Sequence, residues 1–248
     1  MLWKEKEGIQ YLQFDLFEPF PELTHAIFLR HGGVSTGEWK SLNVGLGVGD
    51  AEEHVKENVR RINQVIGTEK SYAIFQEHGA KVHVAAEDLK EKGDALITTE
   101  KGKALLIKHA DCQAAIFYDP VKHILANAHS GWRGSVQNIY ANVIEEMKKR
   151  GSKPADIRVG ISPSLGPDSA EFIHYKKELP EPFWSFQTKP TYFDFWKISR
   201  KQLVDCGILS EHIEVAAIDT YSRPDICFSY RRNKQSGRHA TVAMMNTL

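Results

Sequence analysis

Short apolar segments in the middle of the chain constrain the fold more than any other feature of this sequence. Three of them follow one another at residues 104–107, 114–118 and 124–128, separated by polar or turn-forming residues such as Asp119-Pro120. Each segment is too short for a buried helix and has the length of a buried strand. We therefore expect three adjacent strands at the centre of the fold.

Further strand-like segments and three helical segments surround this centre. The strand-like segments are 25–30, 157–161, 213–218, 227–231 and 240–245. The first helix is predicted to begin at Asp50, where Asp50 and Glu53 have the spacing of a capping box, and to end at Gly67. The other predicted helices run from just after 131–134 to Gly151 and over 194–206.

Several of the predicted strands are joined by connections too short to contain a crossover helix. Strands joined in this way pair antiparallel, so we expect mixed sheets rather than purely parallel ones. No Gly/Ser-rich or Pro-rich linker divides the sequence. The predicted fold class is therefore α+β with mixed sheets, in one domain over 1–248.

The composition excludes several classes of protein. The chain has 248 residues, 42% of them hydrophobic, with 32 Lys and Arg balanced by 32 Asp and Glu. Collagen, coiled-coil and disordered chains have other compositions. A net charge of zero gives no overall attraction to nucleic acid or to an anionic membrane. We therefore expect small-molecule partners, no nucleic acid and no membrane, with monomer and homodimer both open.

Cysteine usage and the first residues of the sequence favour a reducing compartment. The three cysteines, Cys112, Cys206 and Cys227, are odd in number and far apart. Secreted chains more often have paired cysteines in disulfides. The first ten residues contain no apolar segment typical of a signal peptide. We expect free thiols and a cytoplasmic location.

Three segments with metal-binding side chains each follow a strand-like stretch. They contain His78, Cys112 and His129. Two imidazoles and a thiolate suit Zn²⁺ and leave a fourth tetrahedral position open. His109 is a competing ligand, and each of these side chains could equally be a buried structural residue. The residue types alone leave these alternatives open.

Motifs in one order extend along nearly the whole chain. They are Arg30-His-Gly-Gly-Val-Ser35, Ser41-Leu-Asn43, Gln76-Glu-His78-Gly79, Gly93-Asp94-Ala95, Ala110-Asp-Cys112, His129-Ser-Gly-Trp-Arg-Gly134, Phe228-Ser-Tyr-Arg-Arg232 and Ser236-Gly-Arg238. In this order they resemble the YfiH-type family, first described as laccase-domain or polyphenol oxidase proteins and later as purine nucleoside phosphorylases. The resemblance implies an α/β/β/α layered fold and a zinc ion held by His78, Cys112 and His129.

The resemblance also implies an activity. It is phosphorolysis of adenosine, inosine or S-methyl-5′-thioadenosine to the free base and a ribose 1-phosphate, with some adenosine deaminase activity. Candidate catalytic residues are Cys112, His129 and Asp111. Asp111 is the first candidate for moving protons in a deamination and Glu77 the second. An extended backbone at Asp111 would instead turn its side chain away from Cys112.

Phosphate binding requires cationic groups. Arg133 precedes a predicted helix, whose first N–H groups favour anions. Arg30, Arg231 and Arg232 could supply further hydrogen bonds to phosphate. His31 and Asn43, in the resembling motifs, are further candidates for contacts with the substrate.

The sequence departs from the family pattern at three places. These are Gln113-Ala114 after the Ala-Asp-Cys motif, the segment 162–172, and Asp219-Thr220. None of them removes a proposed zinc ligand. They leave open which of the family's substrates this chain prefers.

Other functions fit the same residues. A cysteine hydrolase would use Cys112 as nucleophile, His129 or His78 as base and Asp111 to orient the base. Copper at the same three ligands would give a weak polyphenol oxidase activity. A multicopper laccase is excluded because no two histidines are separated by one residue. An interaction module without catalysis would need none of the three ligands.

Overall fold

The computed structural model describes residues 1–87 and 89–247, and two six-stranded sheets form its centre. The first sheet contains, in spatial order, β1 (Leu2–Lys6), β2 (Ile9–Gln13), β3 (Leu23–Phe28), β14 (His239–Met245), β7 (Ala104–His109) and β4 (Ser71–Ala73). The second contains β13 (Ile213–Val215), β10 (Arg158–Ile161), β8 (Gln113–Asp119), β9 (Ile124–Ser130), β6 (Ala95–Thr98) and β5 (Val82–Val84).

Five α-helices and a small hairpin complete the described chain. The helices are α1 (Glu52–Ile66), α2 (Trp132–Val136), α3 (Ile139–Lys149), α4 (Tyr175–Glu178) and α5 (Phe195–Asp205). The hairpin is formed by β11 (Gln187–Lys189) and β12 (Tyr192–Phe193). Among the described residues, no helix has the length and apolar character needed to span a bilayer.

Both large sheets are mixed, as the short connections predict. β4 pairs with β7, β5 with β6 and β10 with β13 in parallel, while the other pairs within the two sheets are antiparallel. Parallel partners lie at or next to the sheet edges, where the chain arrives after a longer connection. The mixed α+β class is thereby confirmed.

Apolar side chains divide into cores that define four layers. Leu105 and Ile107 of the first sheet pack against Ile116 and Leu125 of the second in the space between the sheets. The outer face of the first sheet is covered by α1, and that of the second by α3 and α5. A sheet buried on both faces has apolar residues facing both ways, which explains the continuous apolar segments.

The three central segments do form strands, but they do not all lie side by side. β8 and β9 pair in the second sheet, whereas β7 belongs to the first. The chain passes between sheets at Asp111, whose φ of 80° is in the left-handed region. Asp tolerates this conformation better than most residues, and it turns the chain sharply enough to change sheets.

The predicted capping box at the start of α1 is wrong. The helix begins at Glu52 after Ala51, and no side chain caps its first turn. The Asp50 carboxylate instead accepts hydrogen bonds from Ser35 and Asn43 at 2.6 and 2.8 Å. The predicted end is confirmed, because Gly67 adopts a φ of 84° and closes the helix.

The predicted second helix is two helices. Asn138 lies between α2 and α3 with a φ of 53°, and its side chain accepts a hydrogen bond from the Ala141 N–H at the start of α3. An asparagine that caps a new helix interrupts the previous one. α5 agrees with prediction, with Asp194 as its N-cap and Cys206 as its C-cap.

The segment 227–231 was expected to be a strand and is not one. Its backbone groups pair with side chains and with nearby turn residues, such as the Cys227 N–H with the Arg223 carbonyl, instead of a neighbouring strand. Arg232 donates to the Cys227 carbonyl at 2.6 Å, and the Phe228 N–H donates to His239 Nε2 at 2.8 Å. The strand predicted over 213–218 is shorter and ends at Val215.

One buried side chain ties the two sheets together. Asn127 of β9 donates through Nδ2 to the Leu105 carbonyl of β7 and the Thr241 carbonyl of β14, at 3.0 and 2.9 Å. These carbonyls belong to the first sheet, while Asn127 belongs to the second. The alignment between sheets therefore depends on this polar contact as well as on apolar packing.

We predict that Asn127→Ala lowers the free energy of unfolding by about 2–3 kcal/mol, because it removes two buried hydrogen bonds and leaves space between the sheets. Urea denaturation followed by circular dichroism measures the change. Gln64→Ala on the exposed face of α1 is the control and should change stability little. Equal stability of the two variants would contradict this role for Asn127.

Candidate functional site

Three segments from different parts of the chain meet at one end of the two sheets. His78 lies on the loop between β4 and β5, Cys112 follows β7 and Asp111, and His129 lies near the end of β9. The ligand atoms of the three residues all lie within 4.8 Å of one another. The His78 and His129 rings are 4.9 Å apart and nearly perpendicular. Among the described residues, this is the set of His, Cys, Asp and Glu side chains that could hold a metal ion.

The buried carboxylate of Asp94 positions two of the three metal-binding residues, His78 and His129. Asp94 accepts hydrogen bonds from the backbone N–H groups of Glu77, His78 and Gly79 at 3.3, 3.0 and 2.6 Å. It also accepts from His129 Nδ1 at 2.8 Å. Because a carboxylate only accepts, Nδ1 of His129 has the proton and Nε2 is the nitrogen that can bind a metal ion. Burial opposes a charge on this ring, but Cys112 and Asp94 raise the pKa of His129 to about 9, so a metal ion would displace a proton from Nε2. This carboxylate–histidine arrangement is the usual support of a metal-binding imidazole.

The backbone beside the site leaves space for the Cys112 thiolate and the His78 imidazole to lie close together. A Cβ on Gly131 would lie 3.0 Å from Cys112 Sγ and 3.0 Å from His78 Cδ2. Only glycine leaves these two ligands free to approach. His78 itself has a φ of 61°, held there by its N–H bond to Asp94. The donor set, its support and its clearance all fit one bound metal ion.

Electrostatics favour the ligand form of the thiol. Burial favours the neutral thiol, but the charge and hydrogen bonding of His129, with those of His78, lower the pKa of Cys112 to about 6. For Asp94 too, burial opposes ionisation, yet hydrogen bonding and charge from His129 lower the pKa of its carboxyl. A thiolate and a carboxylate are therefore both present at neutral pH.

A cavity of about 450 Å³ opens directly onto the three ligands. Its inner wall includes Lys108, His109 and Arg238. Its lining also includes the largely exposed Leu46 and Phe75, whose side chains are 56% and 66% exposed. The cavity thus combines cationic groups inside with apolar groups toward solvent.

A second, smaller cavity of about 90 Å³ lies on the other side of Cys112. Its walls are mainly apolar and include Trp132, Phe172 and Phe195. Asp111 and Arg231 also line it. The thiol therefore lies between a polar and an apolar space.

Asp111 is near Cys112, but its carboxylate is already engaged. One oxygen accepts from Thr220 Oγ1 at 2.7 Å and the other from the Arg231 N–H at 2.6 Å. The expectation that Asp111 orients a catalytic histidine is wrong, because Asp94 holds His129. Arg231 donates through Nη1 to the Glu171 carbonyl at 3.1 Å, so it lies beside the smaller cavity rather than the larger one.

Four other predicted substrate residues lie outside both cavity linings. Arg30 donates to the carbonyls of Lys40 and Pro224, and the exposed His31 bonds to the Asp225 carbonyl at 2.5 Å. Asn43 is buried and accepts from the N–H groups of Gly45 and Arg238. Arg133 is exposed and stacks on Trp132. The structure does not bring these four side chains to the metal-ligand set.

The remaining candidates have other partners. Arg232 binds backbone carbonyls, and Arg133 lies within α2, whose five residues give little helix dipole. His109 is buried and hydrogen-bonds to Thr241 Oγ1 at 2.9 Å, so it does not join the ligand set. Glu77 is exposed and outside the larger cavity lining.

The departures from the family pattern have structural partners. Gln113 is buried and its Oε1 accepts from Tyr140 and Ser199 at 2.7 and 2.6 Å. Thr220 donates to Asp111, and Asp219 accepts from Ser169 Oγ at 2.5 Å. These residues fix the walls around the smaller cavity.

Three residues at the site were not predicted from the sequence. Asp94 was noted only as part of a motif, although an acidic residue before a fully buried strand is an unusual position. Lys108 interrupts the end of an apolar strand, which is a similar signal. Arg238 gave no signal beyond its motif, because its proximity to Lys108 depends on the pairing of β7 with β14.

Comparison with known proteins places these features in context. The chain matches the family described as multi-copper polyphenol oxidoreductase laccase over residues 24–246. It is 30% identical over 236 residues to a Bacillus subtilis protein named purine nucleoside phosphorylase YlmD, covering 84% of each chain.

Two solved structures have a similar fold. A Bacillus licheniformis hypothetical protein YfiH has a TM-score of 0.87 and 26% identity, covering 98% of this chain and 99% of its own. YlmD from Geobacillus stearothermophilus has a TM-score of 0.87 and 27% identity, covering 98% of each chain. The likeness in both cases includes the two-sheet architecture.

We predict that Asp94→Ala lowers zinc affinity about 10- to 100-fold, because His129 and the loop of His78 lose their common acceptor. Competition with a chromophoric chelator measures the affinity. Asp168→Ala, on an exposed aspartate, is the matched control. Unchanged affinity in Asp94→Ala would show that this carboxylate does not support the site.

The pKa of Cys112 predicts its reactivity in protein stripped of metal. Only thiolate is alkylated, so the rate with iodoacetamide should rise with pH and reach half its plateau near pH 6. Burial raises the pKa of Cys227 to about 12 and also raises that of Cys206, so these thiols should react slowly. Peptide mapping identifies the labelled residue. A midpoint near the ordinary thiol value of ~8.5 would contradict the arrangement described.

Proposed function

This chain belongs to the YfiH family of laccase-like proteins, and from that membership we propose that it is a metal-dependent purine nucleoside phosphorylase. In this reaction an oxygen of phosphate forms a bond to C1′ of the nucleoside while the C1′–N9 bond breaks. The bonding electrons leave with the purine, which takes up a proton. The products are ribose 1-phosphate and the free base. The substrates that we propose are adenosine, inosine and S-methyl-5′-thioadenosine.

The observation that carries this proposal is the cavity of about 450 Å³ that opens on His78, Cys112 and His129. Its volume falls within the range of ~300–1,000 Å³ typical of small-molecule sites. It offers cationic groups for phosphate and exposed apolar groups for a purine. A polymer substrate would need a longer groove with several cationic side chains.

Zinc is the metal that we propose for the site, with copper as the alternative. A thiolate and two imidazoles are common zinc ligands, and three protein ligands leave one position for substrate or water. When bound, the metal would supply Lewis acidity toward an oxygen atom. Asp94 keeps His129 in the tautomer that presents Nε2, and Gly131 keeps the space beside Cys112 clear.

The cavity lining suggests how a nucleoside is oriented. Phe75 and Tyr230 line the cavity and are 66% and 43% exposed, so each offers an aromatic face for a purine. The ribose would then lie deeper, between the base and the three ligands. A base held near solvent also explains why several purine nucleosides could be accepted.

A second candidate function is favoured by one observation. Cys112, His129 and Asp94 have the order of a Cys–His–Asp triad, with Asp94 in place of the predicted Asp111. A cysteine hydrolase would use this set without metal. His78 counts against that function, because such a triad gives it no role.

Adenosine deamination is a further proposed activity of the same site. It needs a carboxylate that exchanges protons beside the substrate, and Asp111 is the candidate next to Cys112. Asp111 lines the smaller cavity rather than the larger one proposed for the nucleoside, and both of its carboxylate oxygens already accept hydrogen bonds. We therefore expect deamination to be slower than phosphorolysis.

The test is a nucleoside assay with the purified zinc-loaded protein. We predict zinc near one ion per chain and, with phosphate present, conversion of inosine to hypoxanthine and ribose 1-phosphate, separated by chromatography. Cys112→Ala and removal of zinc by chelator should each abolish both zinc and turnover, while Cys206→Ala should retain them. Incubation with adenosine reports deamination through the appearance of inosine.

Three results would contradict the proposal. Release of base at the same rate without phosphate would indicate hydrolysis. Full phosphorolysis by Cys112→Ala would exclude a role for its thiolate. Activity that survives zinc removal but is lost on alkylation of Cys112 would favour the cysteine hydrolase.

A further inference from the structure

We propose that Lys108 and Arg238 together form the binding site for a phosphate dianion in the larger cavity, and that inorganic phosphate occupies it during the reaction. The inference deepens the proposed function and rests on it for the identity of the ligand. Neither residue was expected to bind phosphate on the basis of the sequence. Their placement by the paired strands supports the assignment.

The register of two strands brings the residues together. β7 and β14 are antiparallel neighbours, with His109 opposite His239 and Lys108 opposite Ala240. Arg238 precedes His239, so Lys108 and Arg238 are diagonal neighbours on one face of this strand pair. Diagonal Cβ atoms lie about 7–8 Å apart or slightly less. Long cationic side chains at that separation can converge on one small anion.

The residues that face Lys108 and Arg238 on the neighbouring strands have small side chains, which leaves space for an anion. Ala240 lies opposite Lys108, and Ala110 follows the last residue of β7, where an extension of the same register would place it opposite Arg238. Both are alanines, so no large side chain fills the space between the two cations. Lys108, Ala110 and Arg238 all line the larger cavity, together with the three metal ligands. An anion there would lie in the same space as the metal site.

The charges of the pair are not neutralised by the protein. Neither side chain forms an ion pair with a carboxylate within 1–87 and 89–247, although ion pairs are frequent elsewhere on the surface. Arg238 uses Nη1 for the Ser236 and Gly237 carbonyls, which leaves Nε and Nη2 without a hydrogen-bond partner in the described chain, while its guanidinium lies 5.3 Å from the centroid of the Tyr230 ring. Half-buried cations without a counter-charge are costly, and a bound dianion would offset that cost.

The direction of the pKa shifts agrees with this geometry. Burial lowers the pKa of Lys108 and, as the largest effect, that of Arg238. Cys112 and Asp111 are the negative groups that act on Arg238, and both are shared with other partners. The charged forms of both cations would therefore gain from an added anion.

The surrounding residues hold the pair rigidly. Gln76 pairs with the backbone of Lys108, donating to its carbonyl at 2.7 Å and accepting from its N–H at 3.0 Å. Asn43 Oδ1 accepts from the Arg238 N–H at 2.8 Å. A Cβ on Gly45 would lie 2.6 Å from Arg238 Cγ, so glycine is required where the arginine passes. Gln76 is also two residues from His78, which couples the cation to the metal-ligand loop.

Direct binding and kinetics test the inference separately. Phosphate binding to the zinc-loaded protein without nucleoside is measured by isothermal titration calorimetry. We expect Lys108→Met and Arg238→Gln each to weaken binding at least about tenfold, the loss of one charge-assisted contact. Lys201→Met, on the exposed face of α5, should leave it unchanged. In turnover, KM for phosphate should rise in both variants, with KM for inosine changed far less.

Arg238→Lys retains the charge and should retain more phosphate binding than Arg238→Gln. Lys108→Met carries the test if Arg238→Gln fails to fold, as judged by circular dichroism. Unchanged phosphate affinity in folded Lys108→Met, or in folded Arg238→Gln, would overturn the inference.

Other outcomes separate this inference from the proposed function. Phosphate binding that depends on both cations, without nucleoside cleavage, would support the anion site and contradict the phosphorylase. Phosphate-dependent cleavage with an unchanged KM for phosphate in both variants would support the phosphorylase and contradict the anion site. If adenosine 5′-monophosphate bound through the pair and inorganic phosphate did not, the assignment to inorganic phosphate would be wrong.

Discussion

The geometry of the site depends on the buried carboxylate of Asp94. It gathers three successive N–H groups of the loop that contains His78 and also holds the imidazole of His129. A buried charge of this kind is tolerated only when its hydrogen-bonding capacity is used. Here every such bond comes from a residue of the metal-ligand set or next to it. Folding the loop and orienting the imidazole are therefore one event.

The two sheets determine where Cys112 and His129 lie relative to each other. Cys112 comes from the first sheet's strand β7 as the chain crosses over, and His129 from β9 of the second sheet. Asn127 fixes β9 against β7 and β14, two residues before His129. The same strands β7 and β14 present Lys108 and Arg238. One set of backbone pairings thus determines both the metal-ligand geometry and the place of the proposed phosphate site.

Sequence periodicity located several elements, including the central strands and α5, but neither the strands β1, β2, β4, β5 and β6 nor the arrangement of the sheets. The strands around 104–107, 114–118 and 124–128 and the caps of α5 depend on local pattern, and they form close to where predicted. The assignment of β7 to a different sheet from β8 depends on the left-handed turn at Asp111, which has no apolar pattern. The segment 227–231 had strand character, but its backbone groups bind arginine and histidine side chains instead.

For the candidate site too, some residues could be predicted from the sequence and others could not. Residue types made His78, Cys112 and His129 candidates but left structural roles open, and the family resemblance singled them out as a ligand set; the structure brings all three together. Reasoning from residue types proposed Arg30 and Arg133 for phosphate because arginine suits that role. The structure uses Arg30 to bind backbone carbonyls and leaves Arg133 at the surface. Cation placement depends on strand register, which no local pattern in this sequence gave.

The central claim is that His78, Cys112 and His129 hold the metal of the active site. X-ray absorption at the zinc edge of the purified protein tests it most directly. We expect one sulfur at about 2.3 Å and two imidazole nitrogens at about 2.0–2.1 Å. When Cys112→Ala is incubated with excess zinc, any ion that binds should show no sulfur contribution. A zinc ion without sulfur in its coordination shell, or an unchanged spectrum in that variant, would contradict the account.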